Sequence, residues 1–198
     1  MSSPSFIVLD GPDGSGKSLH ARLLADRLQE NGTDVIFTEE PTRGPIGACI
    51  RTFLHGENRA HPAALQLLFT ADRAWHEETV ILPALQAGKT VVCDRYASAT
   101  IAYGTALGLD EQWLKDLNKK FVRPDCLIFT LPPLEICLRR LSRRAKRDLL
   151  EASDLQESIH RAYRKLADED SSIIVLDTSG TKESVAEDIW KKLRALRT

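Results

Sequence analysis

An α/β fold built on a parallel sheet is predicted by three observations. Short apolar runs alternate with stretches of helix period along the whole chain, the order of strands joined by crossover helices. Those runs, at residues 6–10, 35–38, 90–94, 126–131 and 173–177, are mostly apolar rather than alternating, as strands covered on both faces are. The first of them leads directly into Gly11-Pro12-Asp13-Gly14-Ser15-Gly16-Lys17-Ser18, a Walker A pattern between a strand and a helix. Its glycines let successive backbone N–H groups turn inward around phosphate oxygens, and the following helix N-terminus adds partial positive charge at the same point. The loop is therefore expected to hold a nucleoside triphosphate, with Lys17 reaching the β- and γ-phosphates and Ser18 ligating Mg²⁺.

Each element has a local reason. The helix after the loop should span 17–30, with Leu19, Leu23, Leu24 and Leu28 inward and Asn31-Gly32 as its stop. Pro62 suits a first helical position, and Leu65, Leu68, Phe69, Asp72 and Trp75 mark one face of the helix it opens. Pro83 should kink or restart that helix before Gly88 closes it. Asp110 can cap a helix reaching about 120, and Pro124 precedes the fourth strand. Pro133 opens the next helix at Leu134, with a stripe of Leu134, Cys137, Leu138 and Leu141. Residues 142–152 then lose apolar periodicity and become arginine-rich, which reads as a flap. Helix period resumes with Leu155, Ile159, Tyr163 and Leu166, and a last helix carrying Val185, Ile189 and Leu193 follows a Thr181 cap.

The bulk properties narrow the possibilities. The 198 residues suit one domain, 1–198, with a core that needs no staples. A net charge of −1 gives no reason to expect a nucleic-acid or membrane-surface partner. Six basic residues nevertheless fall close together, Arg139, Arg140, Arg143, Arg144, Lys146 and Arg147. Cys49, Cys93, Cys126 and Cys137 lack metal-site spacing and read as reduced, buried thiols of a cytoplasmic protein. No export signal or membrane-spanning run is visible.

The loop alone leaves kinase, GTPase, ATPase and motor readings open. A second constellation supplies an acceptor side. Asp94-Arg95-Tyr96 ends the third strand, where parallel sheets bind ligands; the carboxylate can hold Mg²⁺ and the guanidinium offers a planar fork to a phosphate. Together with Thr38-Glu39-Glu40-Pro41-Thr42-Arg43-Gly44-Pro45-Ile46-Gly47, with Leu67 to Arg73, and with Ala102-Tyr103, this resembles the thymidylate kinases in order and spacing across nearly the whole chain.

The resemblance implies a P-loop kinase fold, three layers around a five-stranded parallel sheet. It also implies a homodimer that moves the γ-phosphoryl of ATP to dTMP with Mg²⁺. It places the thymine over Phe69, with Arg73 bonding to the base; Arg95 and Arg43, with Arg51 as a third candidate, match the clamp on the acceptor phosphate. Asp13 matches a carboxylate that engages the deoxyribose 3′-hydroxyl, and Tyr103 the aromatic that excludes a ribose 2′-hydroxyl. Departures exist: Glu39 stands where many bacterial members carry arginine, Ala99 replaces a serine and Gly104 a glutamine. Ser158, Ile159 and His160 lack an arginine pair. The loop position that carries the stabilising arginine in some relatives is Gly14, which shifts that role to the flap, to Arg147 first, then Arg143 and Arg144. A related kinase acting on dUMP or another pyrimidine monophosphate, and a non-catalytic ATP-dependent switch, are the alternatives.

Overall fold

In the computed structural model, which describes residues 5–56, 60–143, 150 and 153–195, five strands form one parallel sheet. They are β1 (Phe6–Asp10), β2 (Val35–Glu39), β3 (Thr90–Asp94), β4 (Cys126–Thr130) and β5 (Ile174–Leu176), in the spatial order β2-β3-β1-β4-β5. β1 is central, with Phe6 opposite Val91 on one side and Ile7 opposite Cys126 on the other. Its side chains alternate between the two faces. Ile7 and Leu9 join the core beneath one layer of helices, Phe6 and Val8 the core on the opposite face.

The first layer is α1 (Lys17–Glu30) with α9 (Lys182–Ala195); Ala21, Leu24, Ala25 and Leu28 of the one meet the core shared with Val185, Ile189 and Leu193 of the other. Here the expected inward face of α1 needs correction. Leu19 is 48% exposed and Leu23 only half-buried, because the stripe that meets the sheet runs through Ala21 and Ala25, whose small side chains let the helix approach closely.

The other layer contains α2 (Pro45–Leu54), α3 (Pro62–His76), α5 (Ala97–Ala106) and α8 (Ser153–Glu169), packed through Ile50, Leu65, Ala102, Tyr103, Ile159 and Tyr163. Between α3 and α4 (Leu82–Gln86) lies a turn of π-helix, Glu77–Ile81, so the interruption expected at Pro83 begins one turn earlier. α6 (Glu111–Asn118) starts at Asp110, whose carboxylate accepts from Trp113 N at 2.6 Å. α7 (Leu134–Leu141) follows Pro133 as expected. Of the cysteines, Cys93, Cys126 and Cys137 are buried thiols, but Cys49, on the outer face of α2, is exposed.

Candidate active site

The Walker loop closes the C-terminal end of β1 and is braced from behind. Gly14 has φ +76°, and a Cβ there would lie 2.5 Å from the Cys137 carbonyl oxygen, so this position accommodates neither a side chain nor an L-residue's usual backbone. Arg140 of α7 donates to Gly14 O at 3.2 Å and to Thr178 O at 2.7 Å; Thr178 in turn donates to Ser15 O, and the Ser15 and Thr130 hydroxyls share a hydrogen bond of 2.7 Å. Arg140 had no distinguishing mark within its run of basic residues. The structure makes it a support of the phosphate loop.

Lys17 is 5% exposed, with Nζ 3.4 Å from Asp13 Oδ1. Burial, followed by the nearby Arg95 charge, pushes its ammonium below the ordinary 10.5. Ser18 lies beside it, exposed, on the first turn of α1. Two carboxylates end the neighbouring strands. Asp10 is engaged, accepting from Gly11 N at 2.8 Å and from the Tyr163 hydroxyl at 2.6 Å; burial pushes it above its usual 3.8, with Arg95 pulling the other way. Asp94 is also buried, yet its Oδ1 has no hydrogen-bond partner among the described residues. A buried carboxylate oxygen without a donor fits a cation or its water. Among the described residues no group of three or more His, Cys, Asp or Glu could hold a metal ion by itself.

Arg95, the residue after β3, adopts φ +71°, a left-handed conformation that costs a non-glycine residue about 1–3 kcal/mol. It is held by Arg95 N donating to Leu9 O at 3.0 Å and Nη1 to Gly11 O at 3.3 Å. Its Nη2 pairs with Asp13 and donates to the Tyr103 hydroxyl at 2.9 Å; that hydroxyl donates to Asp13 Oδ2 at 2.7 Å. Arg95, Asp13 and Tyr103 thus form one polar triangle joining the phosphate loop to α5. Gln156 of α8 donates to the same Asp13 at 3.5 Å.

Beyond the triangle opens a cavity of 140 Å³, roughly ten times the space one water needs. Asp13, Phe69, Arg73, Arg95 and Tyr103 all line it, so five sequence-predicted residues meet at one place. Ala99 and Thr100 of α5 line it too. Arg73 is 1% exposed and heavily engaged: Nη1 donates to Asn118, and Nη2 to Glu40 at 2.8 Å, Tyr96 O at 2.9 Å and Thr100 at 3.0 Å. Glu40 also faces His76 Nδ1 at 3.1 Å. Asn118 and His76 carried no spacing signal, and Glu40, though it lies within the Thr38–Gly47 motif, was given no role there; the three gather around Arg73 only through the tertiary fold.

The other two phosphate-clamp candidates are placed elsewhere. Arg51 donates to Thr42 O at 2.5 Å and Pro41 O at 2.6 Å, tying down the loop after β2. The Arg43 side chain is 83% exposed and pairs with Glu39 at 3.1 Å in an outer groove beside Trp75. Of the three arginines only Arg95 lines the cavity. Arg143 is exposed just past α7, while Arg144 and Arg147 lie outside the described residues.

Comparison with known proteins agrees with this geometry. A family model described as thymidylate kinase matches residues 9–189. A probable thymidylate kinase of Thermococcus onnurineus is 38% identical over 194 residues, covering 93% of this chain and 94% of the relative. One from Pyrococcus abyssi is 39% identical, covering 93% of each. A thymidylate kinase of the bacterium Thermomicrobium roseum is 38% identical, covering 93% of this chain and 92% of its own. A family match over residues 9–189, with relatives 38–39% identical over more than nine-tenths of both chains, makes this chain a member of the thymidylate kinase family.

Proposed function

We propose that the single domain 1–198 moves the γ-phosphoryl group of ATP, bound with Mg²⁺, onto the 5′-phosphate of dTMP, giving dTDP and ADP. Phosphorylation of dTMP follows from family membership; the donor, the metal and the residue roles are our reading. One observation carries it. The Asp13–Arg95–Tyr103 triangle puts the phosphate loop and the floor of the cavity in contact, so phosphates held by each meet at Arg95.

In this reading the backbone N–H groups of the loop Gly11 to Ser18 cradle the donor phosphates, with Pro12, which has no N–H, serving as a turn residue. Lys17 draws charge from the group in flight. Ser18 and Asp94 hold Mg²⁺, which neutralises donor-phosphate charge when bound. Arg95 orients the acceptor phosphate, Phe69 stacks the base, Arg73 bonds to it, and Tyr103 closes the space beside C2′. The acceptor is already an anion, so alignment and positive charge suffice without a strong base. The flap arginines Arg143 and Arg147 supply charge in the transition state, a role Gly14 leaves open. The enzyme works as a cytoplasmic homodimer on small nucleotides; among the described residues no helix is long and apolar enough to cross a membrane.

The test is ADP release by purified protein with ATP and Mg²⁺, with and without dTMP, dUMP and dCMP, and with products resolved chromatographically. The expected result is dTDP formation well above acceptor-free hydrolysis. ATP loss at one rate with and without every monophosphate would sink the reading. Lys17→Ala is expected to lower kcat by ~10³-fold or more, since a charge is removed from a water-poor site.

A further inference from the structure

A fully buried amide stands unpaired at the wall of the acceptor cavity. Gln66 is 0% exposed and lines the cavity, and neither Oε1 nor Nε2 has a hydrogen-bond partner among the described residues. Gln66, Phe69 and Arg73 recur at i, i+3 and i+7 along α3, so they form one stripe facing that space. The amide is supported from behind by α5. A Cβ on Gly104 would approach Gln66 Cγ to 3.3 Å and Leu114 Cδ1 to 2.6 Å, so the glycine leaves room for those two side chains.

An unpaired buried amide is unfavourable, whereas leucine or methionine would fill the same volume at no polar cost. A glutamine here is explained if its partner arrives with the ligand. Arg73 provides a second such atom: both its terminal nitrogens are engaged, but the buried Nε has no partner among the described residues. The wall therefore offers a donor at Arg73 Nε, an acceptor at Gln66 Oε1 and a donor at Gln66 Nε2. The imide edge of thymine or uracil presents the complement, C4=O, N3–H and C2=O. Cytosine, with an amino group at C4 and a bare N3, mismatches at two of the three positions.

We propose that Gln66 is a specificity-determining residue that reads the imide edge of the acceptor pyrimidine, its Oε1 accepting from N3–H and its Nε2 donating to the adjacent carbonyl. This rests on the cavity being the acceptor site, and the experiment separates the two. Wild type and Gln66→Met, which keeps length and removes the amide, are assayed with dTMP, N3-methyl-dTMP and dCMP. Gln66→Met is expected to lose at least about tenfold in kcat/KM for dTMP, carried by KM, while N3-methyl-dTMP, which has no N3–H to donate but keeps both carbonyls, loses clearly less. The preference for dTMP over dCMP shrinks in step.

Equal losses on dTMP and N3-methyl-dTMP, or no loss, overturn the role of Gln66 while leaving the acceptor site in place. A wild type inactive on dTMP overturns the site assignment itself. If Gln66→Met does not fold, the wild-type protein decides. With ¹⁵N-labelled glutamine, the Gln66 side-chain amide resonance, assigned through Gln66→Glu, is expected to shift on adding dTMP but not 2-deoxyribose 5-phosphate. An amide resonance unmoved by dTMP overturns the proposal.

Discussion

The Tyr103 hydroxyl stands between two charges, accepting from Arg95 at 2.9 Å and donating to Asp13 at 2.7 Å. Burial, partly offset by Arg95, holds its own ionisation well above the ordinary 10, so it remains a neutral bridge at any working pH. Tyr103→Phe keeps the ring and deletes the bridge. Losing one buried hydrogen bond between charged partners costs about 1–3 kcal/mol, so kcat/KM is expected to fall roughly tenfold or more for every monophosphate, with the ranking of bases unchanged. Tyr103→Ala removes the ring as well, and there the gap between dTMP and its ribo analogue is expected to narrow. Steady-state kinetics on both variants distinguish bridge from wall. The cysteines give a second residue-scale expectation. Burial pushes the Cys137 thiol up to about 11 and Cys93 well above its usual range, whereas Cys49 is exposed. Native protein treated with an alkylating reagent at mild pH should gain one adduct quickly, at Cys49, and the others only on denaturation. Rapid loss of all four thiols by mass spectrometry would contradict the packing described here.

At the scale of elements, α6 and α8 are laced by Glu111, which accepts from Lys115 and Lys165, and by Lys115 with Glu169. Hydrogen bonds from Lys115 and Lys165 hold the Glu111 carboxyl below its usual 4.5. A carboxylate depressed in the folded state contributes stability above its unfolded pKa and loses it as pH falls through the lower, folded value. Glu111→Gln should therefore lower Tm by at most a few degrees at neutral pH, with the difference disappearing as pH drops below 4.5. A difference that persists in acid would assign it to packing. Gly104→Ala, by contrast, forces α5 into Leu114 and is expected to cost about 1–3 kcal/mol in urea unfolding. How far these elements were legible varied with how local their causes are. β1, α1 and β3 begin and end where their apolar runs and caps do. α2 was not anticipated: Pro45 opens it and Ile46, Ile50 and Leu54 mark its face, but its first residues lie within the Thr38–Gly47 motif, which is distinctive for its order and spacing and not for its secondary structure. Asp13, Phe69, Arg73, Arg95 and Tyr103 were legible because they lie in segments whose order and spacing are themselves distinctive. Asn118 was not, and Glu40 was named within its motif but without its partner, because their bonds to Arg73 span 45 and 33 residues. Gln66 reads in sequence as an ordinary polar residue of a helix; only its burial without a partner sets it apart.

Across the whole molecule, the proposed phosphoryl transfer calls for a positive charge that the phosphate loop does not carry beyond Lys17. The Cys137 carbonyl behind Gly14 bars any side chain from that position. Replacing Arg143, Arg144 and Arg147 together by alanine is expected to lower kcat by ~100-fold or more with modest change in KM, because a finger of this kind contacts the transition state more strongly than the ground state. A triple variant with most of its kcat intact would place that charge elsewhere. The shared carboxylate of Asp13 has a different kind of consequence. It belongs to the Walker loop, yet it pairs with Arg95, the residue proposed to hold the acceptor phosphate, and with Lys17 at 3.4 Å. An acceptor phosphate that draws on Arg95 competes with Asp13, and the carboxylate so loosened redistributes its hold on Lys17. The two sites are then one thermodynamic square. Whatever factor dTMP imposes on the Kd of a non-hydrolysable ATP analogue, the analogue must impose on the Kd of dTMP. Calorimetric titrations in both orders should return the same factor, and because a single counter-ion is divided between the sites, that factor should differ from one and move toward it in Asp13→Asn.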